Sequence, residues 1–280
     1  MNAAHAATLD STARYSAGDR SQRGLASDVW RYRELLRGLI VRNLTVRYQR
    51  SVLGFLWALL NPLLTIALLV GVFGFIFRIQ VPSYWAFLLS GYFAWVFILH
   101  TLGTSITILQ EHASMMKGAS FPSEILVFSA AGARLIEFAA ELLLVAITLS
   151  LFHHGRIPAS LVLLPVVVVL QLLLTLGLAL PAAAASVFFR DVQHGIPVLL
   201  SLLAYLSPVY YPPSMVPQSL QGVYRLNPLA GLLELYHTIL YEGRFPSVAA
   251  FAGVAAASVF VFAVGLAIFR KHRNLLAEIV

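Results

Sequence analysis

The sequence predicts an all-α membrane protein: six transmembrane helices, an N-terminal amphipathic interfacial helix, and an external re-entrant helical segment between spans five and six. Three observations lead there. Of 280 residues, 59% are hydrophobic and 11% charged, whereas soluble domains average about 45–50% apolar and about 25% charged residues. The apolar residues gather into stretches near the ~20 residues that cross a bilayer. The lysines and arginines fall mostly on one side of those stretches. This composition excludes a water-soluble enzyme and a disordered chain. The absence of cysteine excludes disulfides, thiol catalysis and cysteine metal sites.

Taken in order, residues 1–27 are rich in Ala, Ser, Asp and Arg and are expected to form a flexible cytoplasmic tail. Across residues 28–50, Val29, Tyr32, Leu36, Leu39 and Ile40 recur at helical spacing with arginines between them. That pattern is a basic amphipathic helix in the cytoplasmic interface. Either it is a lipid anchor alone, or it also touches a cytoplasmic partner. The six spans are expected at about 53–77, 84–109, 125–152, 161–189, 196–211 and 248–269. Residues 1–50 hold no apolar run of signal-peptide type, so the first span is expected to stay in the mature protein. A last cytoplasmic tail is expected at 274–280.

With both termini on one side, fourteen lysines and arginines lie on that side and four on the other, and Arg134 lies inside the third span. The excess places both termini in the cytoplasm. The net charge of +7 therefore speaks of orientation and lipid contact rather than of nucleic acid.

The loop 111–123, EHASMMKGASFPS, carries adaptable apolar Met115 and Met116 before the helix-breaking Phe121-Pro122. It is either an ordinary connector or a short helix that docks into a groove of another protein. In the third span, Arg134, Glu137 and Glu141 share one helix face. That face must point into protein or water. A buried pairing that orients the span and a proton or ion pathway are both open. The charged turn Arg190-Asp191 leads into the fifth span. His153 and His154 are read as external-loop residues rather than metal ligands.

Pro208, Pro212, Pro213 and Pro217 end the fifth span in irregular backbone. After Asn227-Pro228 comes an apolar run from Leu229 to Tyr241, 13 residues and too short to span. Such backbone must sit against protein or a water-filled cavity, which makes Pro212, Pro213, Asn227, Pro228, Glu234 and Tyr236 candidates for an outer gate. Tyr92, Phe93, Trp95, Tyr205, Tyr210 and Tyr211 either pack and belt the protein or line a passage, where their faces would suit sugar rings.

No GxxxxGK[ST], HExxH or GxSxG pattern occurs. No catalytic residues are assigned, and no metal or cofactor is expected on this chain.

Three segments together carry a resemblance: RNLTVRYQRSVLGFLWALLNPLL at 42–64, FFRDVQHGIPVLLSLLAYLSPVYYPPSMVP at 188–217 and NPLAGLLELYHTILYEG at 227–243. In that order, with six spans, the chain resembles the permease subunit of type 2 ABC exporters, in the branch that exports polysaccharides and polyol phosphates. The resemblance covers residues 30–273. It implies a transmembrane domain at 28–273 that pairs as a homodimer above two copies of a cytoplasmic ABC ATPase, which bind ATP and Mg. It implies that Glu111, Met115, Met116, Lys117, Phe121 and Pro122 form the ATPase-coupling loop. It further implies a substrate glycan on a polyprenyl-diphosphate lipid, moved across the bacterial inner membrane. Arg42, Arg47 and Arg50 are the candidates for the diphosphate. An exporter of drugs or simple lipids, a membrane-embedded lipid-sugar enzyme, and an ion channel or proton-coupled carrier built on Arg134, Glu137 and Glu141 are the rival readings.

Overall fold

The computed structural model describes residues 25–49, 51–118, 121–152 and 157–279, and among them it is helical with no strand. Two short helices come first, α1 (Leu25–Arg31) and α2 (Arg33–Tyr48), broken at Tyr32. Then follow α3 (Leu56–Leu69, continued by a π-helical stretch Val70–Ile76), α4 (Tyr84–Glu111) and α5 (Ala113–Gly118). After these come α6 (Glu124–Phe152) and α7 (Leu164–Phe188), the latter entered through a 3₁₀ turn at Ala159–Leu163. The chain ends with α8 (Val192–Tyr205), α9 (Gln218–Arg225), α10 (Pro228–Tyr236, continued by a π turn His237–Tyr241) and α11 (Val248–Ile279).

Among the described residues, five helices are long and apolar enough to cross a membrane: α3 with its extension, α4, α6, α7 with its 3₁₀ entrance, and α11. The segment expected to be the fifth of six spans, 196–211, differs. Its helix starts earlier and stops at Tyr205, giving 14 residues, or about 21 Å at 1.5 Å per residue, short of the ~30 Å hydrocarbon core. Leu206–Tyr211 continues as turns, because Pro208 and Pro212 cannot extend the helix. At the far end, α11 runs to Ile279, so the expected separate tail from residue 274 is part of a helix. The expected first tail, 1–27, lies outside the described residues up to residue 24, and Leu25 already begins α1.

α4 is the centre of the bundle: 78% of its apolar window is buried, against 11% for α3 and 17% for α11. The α4 residues Phe87, Phe93, Trp95, Phe97 and Ile98 fill the core with Phe138 of α6 and Leu174 of α7. α7 and α11 make the closest helix pair. A Cβ built on Gly265 would come 2.0 Å from the Gly177 carbonyl oxygen, and one on Gly177 would come 2.6 Å from Val261 O. Small residues let helix backbones touch in a bilayer. Gly265→Ala is therefore expected to force the pair apart, at about 1–3 kcal/mol. Its check is the thermal midpoint of the purified protein, which should fall; an unchanged midpoint would contradict the close crossing.

The N-terminal basic segment docks on protein. Leu39 is buried, and Val29, Tyr32 and Leu36 pack against the core. Ile40 occupies the space that Gly132 of α6 leaves open, since a Cβ there would lie 2.6 Å from Ile40 Cδ1. Trp30, Val41 and Val46 remain exposed on α1 and α2.

Candidate functional site

α2 and α6 meet at Glu137, which is 3% exposed. Arg47 Nη1 donates to Glu137 Oε1 at 2.6 Å and Arg134 Nη1 donates to Oε2 at 2.6 Å. The Tyr48 hydroxyl donates to Oε1 at 2.7 Å. Burial, and then this bond to a carboxylate, push the Tyr48 hydroxyl above its ordinary range. The buried charge group expected on α6 thus gains a partner from the basic helix, and Arg47, expected at a lipid diphosphate, is committed to Glu137. Glu141 lies one turn further along α6, buried. Arg42 is exposed, and Arg50, the third candidate for the diphosphate, lies outside the described residues.

Two cavities share Arg47. One of about 310 Å³ is lined by Arg42, Asn43, Arg47, Thr104, Glu111 and His112 among others. A second, of about 330 Å³, is lined by Tyr48, Trp57, Asn61, His100, Arg134 and Glu141 besides Arg47.

The expected coupling loop contains a helix, α5. Met115 and Met116 pack half-buried against the core, while Glu111, Ser114 and Lys117 face outward. Phe121 and Pro122 are half-buried ahead of α6. Two glutamines that the sequence reading passed over tie the end of α4 to the turn between α7 and α8. Gln110 Nε2 donates to Ser186 O at 2.9 Å, and Gln193 Nε2 to Gln110 Oε1 at 2.7 Å.

A second ion cluster, also missed, joins three distant segments. Glu124, at the start of α6, is 1% exposed. Its Oε1 lies 3.5 Å from Arg270 Nε and 3.7 Å from Arg273 Nη1, both on α11. Arg270 also reaches Asp28 of α1 at 4.0 Å. In the sequence, Arg270 and Arg273 are two more orienting cations; nothing along the chain pairs them with Glu124.

The expected outer gate is a firmly held segment. Asn227 caps α10, its Oδ1 accepting from the Leu229 N–H at 3.0 Å, with Pro228 at the first helical position. Tyr236 is fully buried, and its hydroxyl donates to Gln171 Oε1; Gln171 Nε2 in turn donates to Ala94 O at 3.0 Å. His237 Nε2 lies 2.7 Å from the Pro208 carbonyl, which can only accept, so Nε2 carries the proton. The same ring is 2.7 Å from Ser90 Oγ through Nδ1 and stacks on Phe87 at 4.1 Å. Gly91 makes room for it, since a Cβ there would lie 2.5 Å from the imidazole. Pro212, Pro213 and Glu234 are half-buried. Gln171→Leu removes the acceptor of the buried Tyr236 hydroxyl, a loss of about 1–3 kcal/mol. The thermal midpoint should drop, and a midpoint equal to wild type would show that this bond holds nothing.

The expected passage aromatics divide. Phe93 and Trp95, 2% and 3% exposed, are core packing within the protomer. Tyr92, Tyr210 and Tyr211 are half-buried and Tyr205 is exposed. Tyr205 and Tyr210 rings lie 5.4 Å apart, and the Tyr84 hydroxyl donates to Tyr210 O at 2.6 Å. No group of three potential metal ligands occurs among the described residues, and His153 and His154 lie outside them.

Comparison with known proteins gives this arrangement a family. The sequence profile of the ABC-2 type transporter matches residues 34–241. The chain is 33% identical over 257 residues to the O-antigen export system permease protein RfbA of Myxococcus xanthus, covering 91% of this chain and 98% of that protein. Two proteins of the same name from Klebsiella pneumoniae are 26% and 27% identical, each match covering 88% of this chain and 95% of the relative. The chain belongs to the ABC-2 type transporter family, as a membrane subunit built of several apolar helices.

Proposed function

We propose that the chain is the membrane-spanning half of an ATP-driven exporter that carries a lipid-linked polysaccharide of the O-antigen kind across the cytoplasmic membrane. The observation that carries this reading is the match along nearly the whole length of a protein named as an O-antigen export permease. ATP and Mg bind a separate ABC ATPase, consistent with the missing nucleotide motif. Two copies of the chain form the channel between them. The packed centre of the protomer, where Phe93 and Trp95 are buried, argues for a polymer path at a two-fold interface rather than within one copy.

In this reading α8 and the turns after it make the sixth crossing together with the second copy, and both termini are cytoplasmic. The exposed Glu111 and Lys117 beside α5, with Met115, Met116, Phe121 and Pro122 behind them, contact the ATPase. Arg42, Arg47 and Arg50 are the contacts for the lipid diphosphate; Arg47 serves while bonded to Glu137. Arg134 and Glu137 belong to the buried group that holds α2 on α6, with Glu141 one turn beyond it. Tyr92, Tyr205, Tyr210 and Tyr211 line the glycan path, and Pro212 to Tyr236 narrows its outer mouth.

The test is deletion of the gene in its own bacterium. The expected result is loss of the surface polysaccharide with lipid-linked glycan accumulating inside, restored by the gene in trans. Unchanged surface polysaccharide would overturn the proposal.

A further inference from the structure

The cavity of about 330 Å³ between α2, α3, α4 and α6 has chemistry that the ion cluster beside it does not use. Glu137 is saturated by Arg47, Arg134 and Tyr48. Glu141, 5% exposed, lines the same cavity and has no hydrogen bond or ion pair among the described residues. Arg134 also lines it, and its buried Nε–H has no hydrogen-bond partner. A buried carboxyl and a buried N–H left unmade are each costly, and apolar helix packing would not retain both. The rim is formed by exposed Trp57, Asn61 and His100.

This set calls for a ligand that both donates and accepts hydrogen bonds. A pyranose ring meets each demand. Its hydroxyls can exchange hydrogen bonds with the Glu141 carboxyl and accept from the Asn61 amide. Its C–H face suits the Trp57 indole, which offers apolar area with a polar edge. At about 30 Å³ per water the space equals roughly ten waters, ample for one sugar residue. Counting along the helices, Glu137 is about 20 Å from the start of α6, and His100 about 16 Å from the end of α4. The cavity thus lies about midway along α4 and α6, next to the one that holds Arg42.

We propose that this cavity is a sugar-binding subsite that receives one residue of the glycan as the polymer leaves the cytoplasmic face, with Glu141 and Trp57 as its contact residues. The proposal rests on the glycan-export reading above and adds the place of recognition.

The test is equilibrium binding of a radiolabelled oligosaccharide, released without its lipid from the host's own surface polysaccharide, to the permease–ATPase complex in lipid nanodiscs. Glu141→Leu and Trp57→Leu are each expected to weaken binding about tenfold or more, a change of about 1.4 kcal/mol. Glu141→Gln, whose amide still donates and accepts, should bind within about threefold of wild type and shows that the site tolerates substitution. Equal binding by wild type, Glu141→Leu and Trp57→Leu would overturn the proposal, and this is the result a cavity filled by water alone would give. No binding by wild type, in a host whose deletion strain does lose its surface polysaccharide, would also overturn it while leaving the export reading intact. A deletion strain with normal surface polysaccharide would remove both.

Discussion

Glu137→Leu is expected to lower the amount of folded protein in the membrane severalfold and to abolish export with it. Glu137 holds Arg47 and Arg134 at 2.6 Å each and accepts from Tyr48. Arg47 and Arg134 side chains are themselves largely enclosed, at 23% and 16% exposure. Removing the shared carboxylate leaves two cations unpaired inside a membrane protein, a cost of about 3–5 kcal/mol. Replacing all three with apolar residues, as Arg47→Met, Arg134→Met and Glu137→Leu together, should restore much of the abundance, because no buried charge is left without a partner. Quantitative blotting of membranes, with thermal midpoints of the purified variants, checks both steps. Equal abundance of wild type and the single variant would mean that the cluster does not hold α2 on α6.

The second large effect is expected at Glu124. Its two oxygens are buried without hydrogen bonds, so its contacts with Arg270 and Arg273, at 3.5 and 3.7 Å, are Coulombic. Glu124→Lys puts a third cation beside these two, leaving Asp28 as the anion nearby. Glu124 is two residues past Pro122, so in the proposed reading a push on the α5 loop would reach α11 and α1 through this cluster. Export is expected to fall by about tenfold or more, while the ATPase still co-purifies and hydrolyses ATP. Adding Arg270→Glu should recover part of the loss by restoring an opposite-charge pair. Wild-type export in Glu124→Lys would remove the cluster from the coupling path.

Which parts of this molecule were legible in one dimension follows from the physics of each. The long spans were readable because a bilayer demands about 20 apolar residues in sequence, and α4, α6 and α7 fall within a few residues of their expected bounds. The short helix α10 was readable from Asn227-Pro228, a cap and first-turn pair, ahead of a run too short to cross. The end of α8 was misplaced because apolar residues continue to Tyr211, while the prolines at 208 and 212 disturb the backbone before them. The amphipathic stripe of α2 was visible, but its destination was not: a stripe facing lipid and a stripe facing α6 have the same spacing. Gly132, a hole for Ile40, is only an ordinary glycine until the helices meet. The ion clusters were half legible. Arg134 and Glu137 share a helix face, whereas Arg47–Glu137 and Glu124–Arg270 span 90 and 146 positions and exist only in the fold. Phe93 and Trp95 show the converse failure, since an aromatic that packs a protomer core and one that lines a path look alike in sequence.

The most direct measurement of the central claim is transport in a reconstituted system. The permease and its ATPase are placed in proteoliposomes containing the host's polyprenyl-diphosphate-linked polysaccharide, and the glycan in each leaflet is followed with an impermeant glycosidase. Crossing that needs ATP, needs both proteins, and stops when ATP is replaced by a non-hydrolysable analogue is the expected result. The same leaflet distribution with and without ATP, in complexes that do hydrolyse it, would contradict the account.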